Sequence, residues 1–393
     1  MRKLKFGLFG RIVVAILLGV GLGFAFAHCG AVGDLGVRTF KTFNVLFSLV
    51  LKFIVPLLIL GLVTPAIADV GRGAGKMLLV VMALSYFSTV AAGFFAYGAA
   101  SELLPHYVSE GLIAKAGNGK VFEPFFTLKI PPVCDVVTAL VLAFLVGLGI
   151  VATQADAVLR AFNQFKAIVE WALAKAFVPL LPVYILTVTA ELTASGRLSA
   201  VAGSAVKLAL VCLAMNLAIL VVQYLVAGVV ARRNPFVAFA RMIPAYLTGW
   251  GTCSSAATIP VTLRQVRQNG VSEQTANLVV PLCANVHLAG SMANVVAYSA
   301  GILALYGLPI ELGPYTHFIL MMSVVAVASP GVPGGCVLAA GAFVDSILGF
   351  TPEMYALMVA IYMALDGMGT ACNLTGDGAI ALIVDTIKRR RTL

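Results

Sequence analysis

The sequence predicts an all-α polytopic membrane protein: eight transmembrane helices plus two opposed re-entrant helical hairpins, arranged as inverted repeats. Three observations lead there. Of the 393 residues, 61% are hydrophobic and 11% charged, whereas a soluble domain carries roughly 25% charged residues. Apolar runs of the roughly 20 residues that span a bilayer recur from end to end. Two of those runs are interrupted near their centres by Ser, Pro and Gly, which lipid-facing backbone does not tolerate.

The first run, 10–28, follows Arg2, Lys3 and Lys5 and contains Arg11. It has the layout of a signal peptide, but with many spans behind it a retained first helix is expected. Its Gly19/Gly23 ladder suits close helix packing. Further spans are expected at about 40–69, 77–104, 133–153, 160–191, 200–230, 272–302 and 354–387, with 105–132 as a long external loop. Arg72, Lys76, Arg160, Lys166, Arg232, Arg233 and the closing 388–391 run fall on alternate loops. This positive-inside pattern places both termini in the cytoplasm, and the chain is expected in a bacterial inner membrane. The net charge of +10 therefore reports orientation, and nucleic-acid binding is not expected.

The interrupted segments come next. In 237–268 the break is GTCSSAATIP, 251–260, with Arg241 before it and Arg264 and Arg267 after it. Both ends then lie on the cytoplasmic side. In 314–350 the break is ASPGVPGG, 328–335, and the parity of the flanking spans makes this segment enter from outside. Such pairs of broken segments point to a transporter's binding site.

The last span carries the chemistry. Asp366, Thr370, Asn373 and Asp377 are spaced 4, 3 and 4 apart, which puts them on one helix face. Gly369 and Gly376 share that face and are expected to open it. A carboxylate at membrane depth costs roughly 2.5–3.5 kcal/mol even on insertion scales. From Gln268 to Ile387 there is no Lys or Arg, so the counter-charge is expected from solution, as Na+, H+ or a substrate ammonium. An internal salt bridge is the alternative. Span 279–300 adds Asn285, His287, Ser291 and Asn294, with Gly290 as the place where its helix unwinds. His287 reads either as a packing residue or as a group titrating near neutrality. Cys253, Cys283, Cys336 and Cys372 fall one in each of these four elements. A thiol metal site is one reading of them; small packing residues without disulfides is the other. No GxxxxGK[ST] run is present, so nothing supports ATP-driven transport, and neither an enzyme activity nor a resident cofactor is expected.

The stretch NPFVAFARMIPAYLTGWGTCSSAATIPVTLRQVRQNGVSEQTANLVVPL, with SPGVPGG and DGMGTACNLTGDGAI, resembles the dicarboxylate/amino acid:cation symporter family, which has the glutamate-transporter fold. The resemblance is specific over 234–387 and topological before it. It implies a homotrimer with an elevator mechanism: 1–70 and 130–198 form a scaffold and trimerisation part, and 71–104 and 199–393 a mobile transport part. It implies that Ser254, Ser255, Ser291, Gly331 and Val332 close on the substrate. Asp366 would take its ammonium, Thr370 would sit beside it, and Asn373 would take its α-carboxylate. Asp377, with carbonyls around Cys283 and Asn373, would form one cation site. Asn285, His287 and Leu288, with Ala326 to Ser329, would form a second. Na+ is the coupling ion the family implies, with H+ as the alternative that His287 raises.

Three departures bear on the substrate and the ion. Gly369 stands where acidic-substrate members carry an arginine, and Cys253 where others carry one at the hairpin tip. Ala289 replaces the aspartate of a third Na+ site, which is therefore expected to be missing. Without a bidentate partner for a side-chain carboxylate, a neutral amino acid is expected, with Gly369 leaving room for a side chain. A C4-dicarboxylate or acidic amino acid is the second reading, and a channel or solute-sensing membrane protein the third.

Overall fold

A computed structural model describes residues 8–73, 76–107, 111, 122–326 and 334–391, and among them all regular structure is helical. Helix α1, Leu8–His28, is 21 residues long and α2, Gly30–Gly73, is 44. They are separated by a turn at Cys29, with Gly30 at φ 52°. At about 1.5 Å per residue α2 is about 66 Å long, twice the hydrocarbon thickness, so it begins ten residues before the expected span. Helix α3 is Lys76–Tyr107. The described part of the expected loop, from 122 on, is tied to α2. Arg38 Nε donates to the Glu123 carbonyl at 3.1 Å, and its guanidinium lies 4.5 Å from the Phe125 ring centroid.

Helix α4, Val136–Thr153, is capped by Asp135, whose carboxylate accepts from Thr138 N at 2.9 Å and from the Thr138 hydroxyl. The Thr138 hydroxyl holds this exposed carboxyl below the usual range. Helices α5, Asp156–Ala172, and α6, Val178–Ala194, are joined by a π-turn at Leu173–Phe177, in which Val178 N–H reaches back to Leu173 O. Pro179 and Pro182 follow at once. A proline supplies no N–H to the preceding turn, and the wider turn re-satisfies the carbonyls there. Helix α7 is Leu198–Ala231.

After α7 the elements shorten, as the interruptions predict. Helices α8, Pro235–Arg241, and α9, Ile243–Thr252, are followed by α10, Ser255–Gln268. The break falls at Cys253, φ 50°, and an extended Ser254 whose Oγ accepts from Ala257 N at 3.4 Å. The two ends of the segment meet: Arg241 donates to Gln268 O at 2.9 Å, and Asn269 Nδ2 to Ala238 O at 2.9 Å. Helices α11, Glu273–Val286, and α12, Ala289–Tyr306, are joined by His287 and Leu288. Helices α13, Leu312–Ala326, and α14, Gly335–Ser346, pack on each other, and α15, Pro352–Arg391, runs unbroken for 40 residues. Most of the second break, including Ser329, Gly331 and Val332, lies outside the described residues, which resume at Gly334.

Among the described residues, seven helical stretches are long and apolar enough to cross a membrane. Helix α4, at 18 residues, is about 27 Å long, just short of the hydrocarbon thickness. Glu273–Tyr306 is buried throughout its most apolar window, so α12 and α15 form the centre, with α3 and α7 against them. Helix α1 packs on α6, and α2 on α4, α5 and α6. The Gly19/Gly23 ladder makes the α1–α6 contact: a Cβ would stand 2.5 Å from Leu186 O at Gly19 and 2.6 Å from Ala190 O at Gly23. Gly23→Ala is therefore expected to lower the thermal-unfolding midpoint of the purified protein, at a cost of about 1–3 kcal/mol for overpacking. Gly21→Ala, whose Cβ would meet nothing within 4 Å, is the control expected to leave it unchanged.

Candidate functional site

The α11–α12 junction builds the site. The helix opens at His287, φ −103° and ψ 98°, three residues before the expected Gly290, which instead sits in the first turn of α12. A helix start leaves N–H groups without intrahelical partners, and here they are taken by other elements. Asn373 Oδ1 on α15 accepts from Gly290 N at 2.8 Å and Ser291 N at 3.2 Å, while its Nδ2 donates to Ser291 Oγ at 2.9 Å. Leu288 N donates to Thr89 Oγ1 on α3 at 3.3 Å.

The opened backbone swings the His287 ring into the core. Its Nδ1 lies 2.9 Å from Asp377 Oδ1, and both side chains are fully buried. Its Nε2 lies 3.0 Å from Ser88 Oγ, which also accepts from Gln223 Nε2 at 2.9 Å. The other carboxylate oxygen, Asp377 Oδ2, is buried with no hydrogen-bond partner among the described residues. Asp377 thus has a side-chain hydrogen-bond partner in His287 that the absence of Lys and Arg from 268–387 did not suggest. The space at Gly376 is filled by that ring and by Gln223, since a Cβ there would lie 2.7 Å from His287 Cε1 and 2.5 Å from Gln223 Oε1.

About three helix turns toward the start of α15, Asp366 Oδ2 accepts from Gly334 N at 2.9 Å, at the entry to α14. Thr370 and Ser255 are buried, and Ser254 partly so. Helix α9 reaches the same stretch of α15: a Cβ on Gly249 would lie 3.3 Å from Ala371 Cα. The expected residues Asp366, Thr370, Asn373, Asp377, Ser291, His287, Leu288 and Cys283 thus converge where α15 crosses the α11–α12 break. Asn285 does not join them: it is exposed, and its Nδ2 donates to Pro281 O in its own helix at 3.1 Å. Ala326 is the buried last residue of α13.

Gly369 belongs to this region but leaves no room. A Cβ there would meet Asn294 Nδ2 at 2.9 Å, Ser291 Cα at 3.2 Å and Ser291 N at 3.3 Å. Its role is the close approach of α12 to α15. The cysteines divide similarly: Cys283 Sγ lies 3.6 Å from Ser85 Oγ and Cys372 Sγ 3.6 Å from Asn216 O, and among the described residues no group of three or more metal-ligating side chains forms.

Ser85, Ser88 and Thr89 on α3 and Gln223 on α7 are the functional candidates that motif reading missed. Their signal was present: two serines and a threonine within five residues of an otherwise apolar span, and Asn216 and Gln223 two turns apart on another.

Broken helices at depth, converging on buried carboxylates inside an apolar multi-pass bundle, define a membrane transporter of the secondary type. The chain belongs to the sodium:dicarboxylate symporter family, whose family model matches residues 8–387. Among similar proteins is the serine/threonine transporter SstT of Acinetobacter baumannii (strain ATCC 17978), 25% identical over 402 aligned residues covering 99% of this chain and 98% of the relative. The serine/threonine transporter SstT of Streptococcus suis (strain 05ZYH33) is 26% identical over 347, covering 85% and 93%. The family is one of transporters, not enzymes.

Proposed function

We propose that this chain is a secondary active transporter coupling the symport of a neutral amino acid of the serine/threonine class to a cation gradient, with Na+ as the coupling ion. The single observation that carries the cation is the buried Asp377 with one carboxylate oxygen unpartnered. An uncompensated buried oxygen is costly, and a hard cation suits it. The substrate reading draws on three supports: Asp366 as the ammonium partner, no arginine at 369 or 253, and relatives named as serine/threonine transporters. Asn373 would serve the substrate carboxylate only by sharing an amide that already caps α12.

A second reading, H+ in place of Na+, is favoured by the His287–Asp377 hydrogen bond at 2.9 Å, because an imidazole–carboxylate pair is a ready proton carrier.

The mechanism we propose is an elevator, in a homotrimer of the bacterial inner membrane with both termini cytoplasmic. The packing supports two groups, α1–α2 with α4–α6, and α3 with α7–α15. The arms α9, α10, α13 and α14, at 10, 14, 15 and 12 residues, span about 15–23 Å, too short to cross the bilayer singly. This favours two re-entrant hairpins alongside eight spans.

Uptake of labelled serine into proteoliposomes tests the function. An inward Na+ gradient is expected to drive it, excess threonine to inhibit it, and excess succinate or aspartate to leave it. Stronger inhibition by succinate or aspartate than by threonine would overturn the substrate class, and uptake driven by a pH gradient without Na+ would give the coupling to H+.

A further inference from the structure

The His287 ring is held from both sides. Nδ1 faces Asp377 Oδ1 on α15 at 2.9 Å, while Nε2 faces Ser88 Oγ on α3 at 3.0 Å and Gln223 Nε2 on α7 at 3.4 Å. An imidazole nitrogen either carries a proton or accepts one, and its neighbours decide which. Gln223 Nε2 is an amide donor, and it also donates to Ser88 Oγ at 2.9 Å. The Ser88 hydroxyl proton then has one acceptor among the described residues, His287 Nε2. Two donors therefore converge on that nitrogen. The opposite orientation of the Gln223 amide fits worse. Gln223 Oε1 is buried without a hydrogen-bond partner among the described residues, against Gly376, where a Cβ would stand 2.5 Å from it. Turning the amide over would strand two N–H donors there in place of one acceptor, and stranded donors are the rarer case.

We propose that Ser88 and Gln223 are positioning residues for the cation site: by donating to Nε2 they keep the proton of a neutral His287 on Nδ1, so that Asp377 faces a donor and stays a carboxylate. With the proton on Nδ1, Asp377 Oδ1 accepts it, and Oδ2, which has no partner among the described residues, is left to hold a hard cation. With the proton on Nε2, the bare Nδ1 would draw a proton from Asp377 itself, and the negative charge would be gone. Neither Ser88 nor Gln223 needs to touch the ion, since both act through the ring. The proposal rests on the cation reading given above.

Two measurements test it. Full-length protein carrying 15N in its histidine rings, in detergent and Na+, reads the tautomer by NMR. His287 is identified among the four histidines by the signal that His287→Gln removes. A protonated Nδ1 with a bare Nε2 is expected. A protonated Nε2, with or without a proton on Nδ1, overturns the proposal, and this wild-type signal decides even where a variant fails to fold. Serine uptake into proteoliposomes reads the consequence. Ser88→Ala and Gln223→Met are each expected to raise the Na+ concentration for half-maximal uptake about three- to ten-fold, the scale of one lost hydrogen bond, with the maximal rate held within about two-fold. Ser88→Thr keeps the hydroxyl and is expected to stay near wild type. In a His287→Gln background neither Ser88→Ala nor Gln223→Met is expected to add to the change, because both act through the ring. A lower maximal rate at unchanged Na+ dependence would mark a packing role, and effects that add in the His287→Gln background would mark direct contact with the ion. Either overturns the positioning role and leaves the transport reading standing. Wild-type uptake indifferent to Na+ overturns the cation reading and the proposal with it.

Discussion

Asp377→Asn is expected to reduce cation-driven serine uptake by about two orders of magnitude, the scale of a lost hydrogen bond to a charged group. The substitution keeps the size of the side chain, and an amide oxygen can still accept from His287 Nδ1. What changes is the second oxygen. Asp377 Oδ2 is buried without a partner among the described residues, and in the variant that position is either a buried N–H donor or a neutral oxygen. Neither holds a cation as a carboxylate does. Uptake measured against Na+ concentration in proteoliposomes checks this, and an unchanged Na+ dependence would remove Asp377 from the cation site. His287→Gln separates the two ions. It is expected to leave Na+-driven uptake detectable if Na+ is coupled, and to abolish pH-driven uptake if the proton rides on the imidazole–carboxylate pair.

Gly369→Arg is expected to destabilise the protein, not to redirect its specificity. By position this is where an arginine would recognise an acidic substrate, and the sequence suggests that glycine leaves the space for one. The helix packing says otherwise: two of the three nearest atoms to a Cβ are Ser291 backbone atoms, at 3.2 and 3.3 Å, and backbone yields less readily than a side-chain tip. Even Gly369→Ala is expected to cost about 1–3 kcal/mol, the usual penalty of overpacking, and the longer side chain more. The thermal-unfolding midpoint in detergent and the monodisperse yield read this out. A Gly369→Arg protein with the wild-type midpoint and new uptake of aspartate would show that α12 gives way and that the positional expectation was sound.

The reach of the sequence can be judged from particular residues. The break at Cys253–Ser254 was legible because serine, glycine and proline change local backbone preference, and that preference survives folding. The face Asp366–Thr370–Asn373–Asp377 was legible because helical periodicity is fixed by backbone geometry alone. The α11–α12 break was misplaced at Gly290. The residues that open there, His287 and Leu288, have no strong local preference for doing so; their hydrogen bonds to α3, α7 and α15 make it affordable. The counter-charges were missed for the same reason. Lys41 and Lys52 stand more than 290 residues before Glu353 and Asp345 in the chain, yet pair with them across α2, the latter pair at 2.9 Å.

By itself, then, the sequence determined that this chain lives in a membrane, that it is helical, and where its polar residues interrupt apolar spans. Those properties follow from the solvent and from local geometry. Only the tertiary structure decided what each polar group faces. It made Asn373 a cap for α12, gave Asp377 a histidine partner and one unpartnered oxygen, and closed the space at Gly369. The reason is physical: in a buried core the cost of an unsatisfied polar group is settled by neighbours far away in sequence, and spacing along one helix carries no record of them.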